Sequence, residues 1–494
     1  MFLLTKQFNG GLQYMNSRKI LAFMLALIMI LGLVSGCNVQ SNEASNGNET
    51  KFDVIVVGGG AAGLSAAIEA AEAGAKVAVI EKMPVLGGST LLSEGIVYAT
   101  GSKIQTEYPV NDSTEALVNF WIDKAEGQND VPSLQLVADE SGATIDWLVD
   151  LGVVFGDPIA TGTSPVLRGH VAENKGAGII DALKERAEEN MVTLILETRV
   201  LDLITNDKAE ITGVKALNRE GQEVSYKAKA VVLATGGFDK NELLVASYAP
   251  NAKGHTSFTS ESSTGDGLTM ALALGADVIN KGGVFGTKTV LGEPAYKTEI
   301  NKLLELPYLA VNSKGERFVD ESDDFAVYYQ ELVKQEGSVS YMIFDQTNFD
   351  ASLDAAIKNG SAFMADTLDE LAAKAGIDPA GLNNTVTYYN DMIKYGKDEQ
   401  FGKNLKALTP LESSKYYALK VVPAILGTMS GLKTDLEAKV LNAEGLAISG
   451  LYAAGELATG NFYNTIYPAM GTSLQVSITF GRIAGTNAAK YADQ

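Results

Sequence analysis

The feature that most constrains this chain is a run of glycines, Gly58-Gly59-Gly60-Ala61-Ala62-Gly63, placed directly after a short apolar segment, Phe52-Asp-Val-Ile-Val-Val57. A small-residue stretch from Leu64 to Gly74 follows, then a second apolar segment, Lys76-Val-Ala-Val-Ile80, and Glu81. Strand, tight turn, helix, strand and an acid about twenty residues on is the order a dinucleotide site requires. The first glycine permits the tight turn, the second lets backbone approach a pyrophosphate, and the third lets the helix pack on the strand. The helix N-terminus then offers unpaired N–H groups and a positive dipole end to the phosphates, and Glu81 is placed to accept hydrogen bonds from a ribose. The other reading of the glycines is a tight strand–helix turn that holds no ligand. In a chain with 50 glycines the motif alone does not decide, and the flanking strands with Glu81 favour the dinucleotide.

The opening of the chain reads as a targeting segment, residues 1–37. Met15-Asn-Ser-Arg-Lys19 is basic, and Ile20 to Leu33 is apolar but shorter than the ~20 residues of a comfortable membrane span. It ends Leu33-Val-Ser-Gly-Cys37, which resembles a bacterial lipoprotein signal whose cysteine is lipidated and becomes the mature N-terminus; Met15 is the better start. The alternative is a plain signal peptide or membrane anchor. Cys37 is the only cysteine, which excludes an internal disulfide, a c-type haem site and a cysteine-ligated iron–sulfur cluster. Residues 38–51 are polar and read as a flexible tether. The expected location is extracytoplasmic, held to the bacterial cell membrane by the lipid alone. A net charge of −21 argues against nucleic acid as a partner, and two histidines, His170 and His255, are too few for a His-rich metal site.

Further apolar segments belong to the same plan. Lys229-Ala-Val-Val-Leu-Ala-Thr-Gly-Gly237 reads as a buried strand and turn, and Gly450-Leu-Tyr-Ala-Ala-Gly455-Glu456 as another, followed by a helix over about Thr472 to Tyr491. Val192 to Val200 and Gly213 to Tyr226 read as strands of a meander. Residues 280–427 differ in texture, with most of the tyrosine and phenylalanine clusters. The expected fold is α/β: a parallel sheet with helices on both faces, built from 52–279 and 428–494, with a second domain inserted over 280–427.

At residues 52–490 the chain resembles the flavoprotein subunits of fumarate reductase and succinate dehydrogenase, and especially their soluble relatives, the flavocytochrome fumarate reductases, urocanate reductases and 3-ketosteroid dehydrogenases. The likeness rests on Gly58–Gly63 with Glu81-Lys82, on Gly87-Gly88-Ser89-Thr90, on Ala234-Thr235-Gly236-Gly237 and on Thr264-Gly265-Asp266-Gly267. It continues through Arg317-Phe-Val-Asp-Glu321, Gly455-Glu456 and Thr479-Phe-Gly-Arg482. The resemblance implies a split Rossmann-like FAD-binding domain over 52–279 and 428–494, with the insert over 280–427 as an α+β capping domain. It also implies that the FAD is non-covalent, because no histidine lies near Gly87, with Val200 added to its contacts. Glu456 is implied to hold ribityl hydroxyls. Asp266 is expected to cap its helix and contact the sugar or ribityl part. Ser473 and Leu474 are expected to present backbone N–H groups to the pyrimidine carbonyl.

The substrate end departs from the fumarate reductases. Phe325 stands where the family's proton-donating arginine would, Leu426-Gly427 where histidines would, and Tyr467-Pro-Ala-Met-Gly471 where a second arginine would. A small dicarboxylate needs fixed cations, so fumarate is disfavoured. Tyr467 with Gly471 is similar to the ketosteroid dehydrogenases, whose tyrosine hydroxyl and glycine N–H bind a ketone oxygen; the other reading is a shaped turn. Tyr328, Tyr329, Tyr463 and Tyr98 are the candidates for a proton donor, each equally readable as a packing aromatic. The expected activity is reduction of a carbon–carbon double bond conjugated to a carbonyl by hydride from flavin N5. The alternatives are dicarboxylate reduction, ketosteroid-type dehydrogenation in the reverse direction, or electron relay. Beyond a small-molecule substrate, the expected partner is a separate electron-carrying protein or quinol.

Overall fold

The buried strands assemble into a six-stranded sheet in the order Lys439–Leu441, Ala447–Ala453, Ala230–Leu233, Val54–Val57, Val77–Ile80, Thr193–Ile195. Every neighbouring pair is parallel except the outermost, Lys439–Leu441 with Ala447–Ala453. Val54–Val57, Val77–Ile80 and Ala230–Leu233 are buried at every position, as near-continuous apolar strands covered on both faces must be. From Val54–Val57 the chain builds outward on one side, then returns to build the other. This reversal opens a crevice at the carboxyl ends of the two central strands, where α/β sheets bind ligands. The computed structural model describes residues 51–293, 298–406 and 408–494. The expected signal, Cys37 and all but the last residue of the tether lie outside these residues.

The helix Ala61–Glu72 leaves the central strand and packs on Thr472–Ala492. A Cβ on Gly481 or Gly485 would lie 2.4 or 2.1 Å from the carbonyl oxygens of Ala62 and Ala66. The two backbones therefore touch, and Arg482 Nε closes the contact on Glu69 Oε1 at 2.7 Å.

The meander is corrected by the structure. Residues 192–200 do not form one of its strands: Thr193–Ile195 joins the main sheet, and the meander is Arg199–Thr205, Ile211–Leu217 and Glu223–Lys227. The chain changes sheets at Glu197, which takes φ 51°.

A second sheet is organised by the 13-residue strand Tyr416–Thr428. Val284–Val290, Ser340–Asp345 and Ala362–Ala365 pair with it antiparallel, and Leu309–Val311 extends Ser340–Asp345. Phe325–Val333, Leu353–Asn359 and Leu368–Ala375 pack on this sheet. One strand of it, Thr256–Ser257, comes from before residue 280. Inside this part, Arg317 pairs with Glu321 at 2.9 Å and Asp398 at 3.0 Å, and Lys403 pairs with Glu321 at 2.7 Å, the four side chains at most 1% exposed. The Arg317-Phe-Val-Asp-Glu321 motif thus builds a buried, charge-balanced brace of the cap.

Candidate cofactor and substrate site

The crevice is a long cleft whose floor is the glycine turn. Gly58 has φ +106°, and a Cβ there would lie 2.3 Å from the Ala234 carbonyl oxygen; one on Gly63 would lie 1.9 Å from the Gly58 oxygen. The first and third positions of the motif therefore admit only glycine. Gly63 packs and does not line the cleft, whereas Gly60, Ala61 and Ala62 do. Ala61 N–H donates to Thr90 Oγ1 at 3.4 Å, and the N–H groups of Ala62 and Gly63 find no acceptor among the described residues. A helix N-terminus with free donors opening on a cleft fits a diphosphate.

Glu81 is 6% exposed and braces this turn: its Oε2 accepts from Gly59 N–H at 2.7 Å and its Oε1 from Met83 N–H at 2.8 Å. Glu81 also lines the cleft, and each of its oxygens keeps a lone pair beyond these two bonds. Lys82, Arg199, Val200 and Asp266 continue the same wall. Asp266 does not cap its helix; Gly265 is the N-cap, and Asp266 makes no capping bond. Its carboxylate instead takes Lys82 at 2.9 Å, Arg199 at 2.9 Å and the Thr264 hydroxyl at 3.0 Å. Burial opposes its charge, and the Arg199 and Lys82 contacts outweigh burial, holding Asp266 below the usual carboxylate range.

Gly88, Ser89 and Thr90 line the opposite side with Ala234, Thr235 and Gly236. Gly87 stands behind them, its N–H on the Gly59 oxygen at 2.8 Å. The Thr235 hydroxyl is buried without a partner. Glu456 also faces the cleft, with Oε1 already accepting Thr428 N–H at 2.6 Å and its hydroxyl at 3.0 Å.

At the far end the lining becomes apolar, with Phe285, Phe325, Leu426 and Met470 around Tyr467. Phe285 stacks on Tyr467 with centroids 4.2 Å apart and planes 9° apart. Phe285 also accounts for Gly427: a Cβ there would lie 2.5 Å from the Phe285 ring. Lys82 and Arg199, the only Lys, Arg or His among the described lining residues, are both committed to Asp266. Gly471, with φ +96°, is the N-cap of Thr472–Ala492 and lines the cleft beside Tyr467.

Two expectations about this end are corrected. Ser473 does not offer its N–H to a ligand, because that group donates to the Tyr467 hydroxyl oxygen at 3.0 Å. The N–H of Leu474 has no acceptor among the described residues and remains available. Of the described tyrosines, only Tyr467 lines the cleft. Tyr328 is buried in the core of the cap, its hydroxyl 3.2 Å from Ser340 and the Lys288 ammonium 4.0 Å from its ring centroid. Tyr463 packs behind Tyr467 at 5.6 Å, with its hydroxyl buried and unpaired. Tyr329 turns to His255 at 3.3 Å, and Tyr98 is fully buried beside Arg168. Burial pushes the Tyr467 phenol well above its ordinary value despite the Ser473 amide, so it stays a hydrogen-bond donor at neutral pH.

Phe285, Asp239 and Thr428 escaped the sequence reading. Phe285 lies on a strand buried at every position, and nothing in that pattern marks which side chain meets a cleft.

A family model described as an FAD binding domain matches residues 53–474. A probable fumarate reductase from Shewanella frigidimarina is 33% identical, covering 92% of this chain and 77% of that protein. A urocanate reductase from Eggerthella lenta is 32% identical over 91% of this chain and 76% of its own. The crystal structure of a 3-ketosteroid-Δ4-(5α)-dehydrogenase from Rhodococcus jostii RHA1 superposes with a TM-score of 0.75 at 28% identity, covering 90% of this chain and 99% of that one.

Proposed function

The chain belongs to the FAD-binding-domain family, as an FAD-dependent oxidoreductase, and from that membership we propose that it reduces a carbon–carbon double bond conjugated to a carbonyl in an apolar, uncharged substrate. The observation that carries the substrate class is the aromatic end of the cleft, where the Tyr467 hydroxyl stands among Phe285, Phe325 and Leu426 with no uncommitted cation among the described lining residues. FAD, when bound, supplies the hydride. Phe285 and Phe325 hold the flat body of the substrate and keep water from it. The Tyr467 O–H donates to the carbonyl oxygen, with the Gly471 N–H as second donor. Ser473 N–H, donating to the phenol oxygen, polarises that hydroxyl. Negative charge that develops on the oxygen as the β-carbon accepts hydride then lies at the N-terminus of a 21-residue helix. The enolate then takes a proton from water at its α-carbon, which completes the reduction, and the same steps run backwards serve dehydrogenation.

A dicarboxylate reading is weaker, because two buried carboxylates would need cations that this lining has already spent on Asp266. Anaerobic reoxidation of the dithionite-reduced holoenzyme by a steroid-like enone, an enoate and fumarate tests the proposal. The enone reoxidises the flavin fastest; reoxidation by fumarate alone overturns the reading. Electron relay predicts that no organic compound of such a panel reoxidises it. The electrons come from a separate protein or quinol on this proposal, since Cys37 is the only cysteine and cannot hold a cluster. We also propose an extracytoplasmic, lipid-anchored location, supported by the basic, apolar and Cys37-terminated order of residues 15–37. Cys37→Ala moves the protein out of the membrane pellet; unchanged fractionation refutes the anchor.

A further inference from the structure

Two ionisable side chains, Glu456 in the cleft lining and the buried Asp239, serve neither the glycine turn nor the aromatic end. Glu456 follows Gly455 at the carboxyl end of Ala447–Ala453, and only its Oε1 is engaged, by Thr428. Asp239 follows two residues after Gly237, whose backbone passes so close that a Cβ there would lie 2.2 Å from Glu456 Oε1. Asp239 is 8% exposed. Its Oδ2 accepts the hydroxyls of Ser257 and Thr259, while its Oδ1 is buried with no partner. Each carboxyl is thus satisfied on one oxygen only. The charged and titratable neighbours are few. Lys240, next to Asp239, is drawn away to Glu261 at 2.7 Å and the Ser257 carbonyl at 3.0 Å. Tyr463, near Glu456, is neutral. Among the described residues no cation is paired with either carboxyl.

Two carboxylates in one water-poor site without a cation do not both ionise. Burial, and then the charge of Asp239, push the Glu456 carboxyl up to about 8. Burial likewise raises Asp239, against the Ser257 and Thr259 hydroxyls. We propose that Asp239 and Glu456 hold one proton between them and that FAD binding locks this proton on Glu456, which makes Asp239 a positioning residue for the cofactor site. The open face of Glu456 is its cleft side. A cofactor seated there displaces water from that face, which disfavours the charged carboxylate further. The neutral acid also offers an O–H and adds no negative charge to a ligand that already carries a diphosphate.

The sign follows from linkage. A ligand that binds the protonated form must bring in a proton wherever the free protein has lost it, so affinity falls as pH rises through the free-state value. The experiment titrates the full-length apoprotein with FAD by calorimetry from pH 6 to 9.5, in buffers of differing ionisation heat. The expected affinity is level at pH 6–7 and weakens toward tenfold per pH unit above about 8, with one proton taken up per FAD bound at the upper end and none at the lower. Glu456→Gln, permanently neutral, removes the slope and the proton uptake. Asp239→Asn moves the midpoint to lower pH, since the neighbouring charge is gone. A level wild-type profile without proton uptake, or a midpoint unmoved in Asp239→Asn, overturns the proposal. The wild-type measurement alone decides if a variant fails to fold.

Discussion

The Tyr467 hydroxyl gains its character from one backbone group. Its oxygen accepts the Ser473 N–H in the first turn of Thr472–Ala492, so the proton it carries points away from the helix. Tyr467→Phe keeps the stack on Phe285 and deletes the hydroxyl, both the donor to the substrate and the acceptor of the Ser473 N–H. We expect FAD content unchanged and substrate-dependent reoxidation slowed by about 10²–10³-fold, the usual loss when one donor to a developing oxyanion is removed. Stopped-flow absorbance of the reduced holoenzyme mixed with an enone measures this; an unchanged rate would remove Tyr467 from the chemistry. The pair Tyr467/Gly471 was legible in the sequence as a spacing. What Tyr467 touches was not, because the Phe285 ring that packs on it lies far away in the chain.

Helices and strands were legible where one rule governs a whole segment. The apolar strand before the glycines, the small-residue helix after them and the C-terminal helix are all where their patterns placed them. Small residues in the C-terminal helix have a single reason: Gly485 brings it against the Ala66 carbonyl of its partner. Gly485→Val forces the helices apart, at a cost of about 1–3 kcal/mol for overpacking. Thermal unfolding should show a lower Tm together with weaker retention of FAD, since the partner helix carries the free N–H groups of the cleft. A variant with wild-type Tm would show that the contact is slack. Residues 192–200 were misread because apolar residues stand on both sides of the sheet change, at Leu194-Ile195-Leu196 and again from Val200. The break rests on Glu197 at positive φ, and the segment has no glycine or asparagine to announce it.

At the scale of the molecule, the cap is braced by a network that no sequence period reveals. Arg317 and Lys403 neutralise Glu321 and Asp398 with almost no water. Arg317→Met leaves Asp398 without a cation partner and Glu321 with Lys403 alone, and breaking a buried pair from one side costs about 3–5 kcal/mol. Limited proteolysis should cut within 280–427 well before the wild type is cut; equal resistance would show that the brace is dispensable. Burial opposes the Glu321 charge, but Arg317 and Lys403 outweigh it and hold the carboxyl below its ordinary value of 4.5. Its contribution is therefore complete above that value and is lost as pH falls beneath it, so the cap loosens in acid. The sequence by itself determined the α/β plan, the place of the FAD turn and the departure from a dicarboxylate site. Those properties are local: a glycine that admits no Cβ, an apolar run buried on both faces, an arginine that is not there. Only the tertiary structure decided which of the candidate tyrosines lines the cleft, that the Ser473 amide is already taken, and that Gly237 runs against Glu456. Each of these depends on groups apart in the chain meeting in space, and residue order does not record such distances.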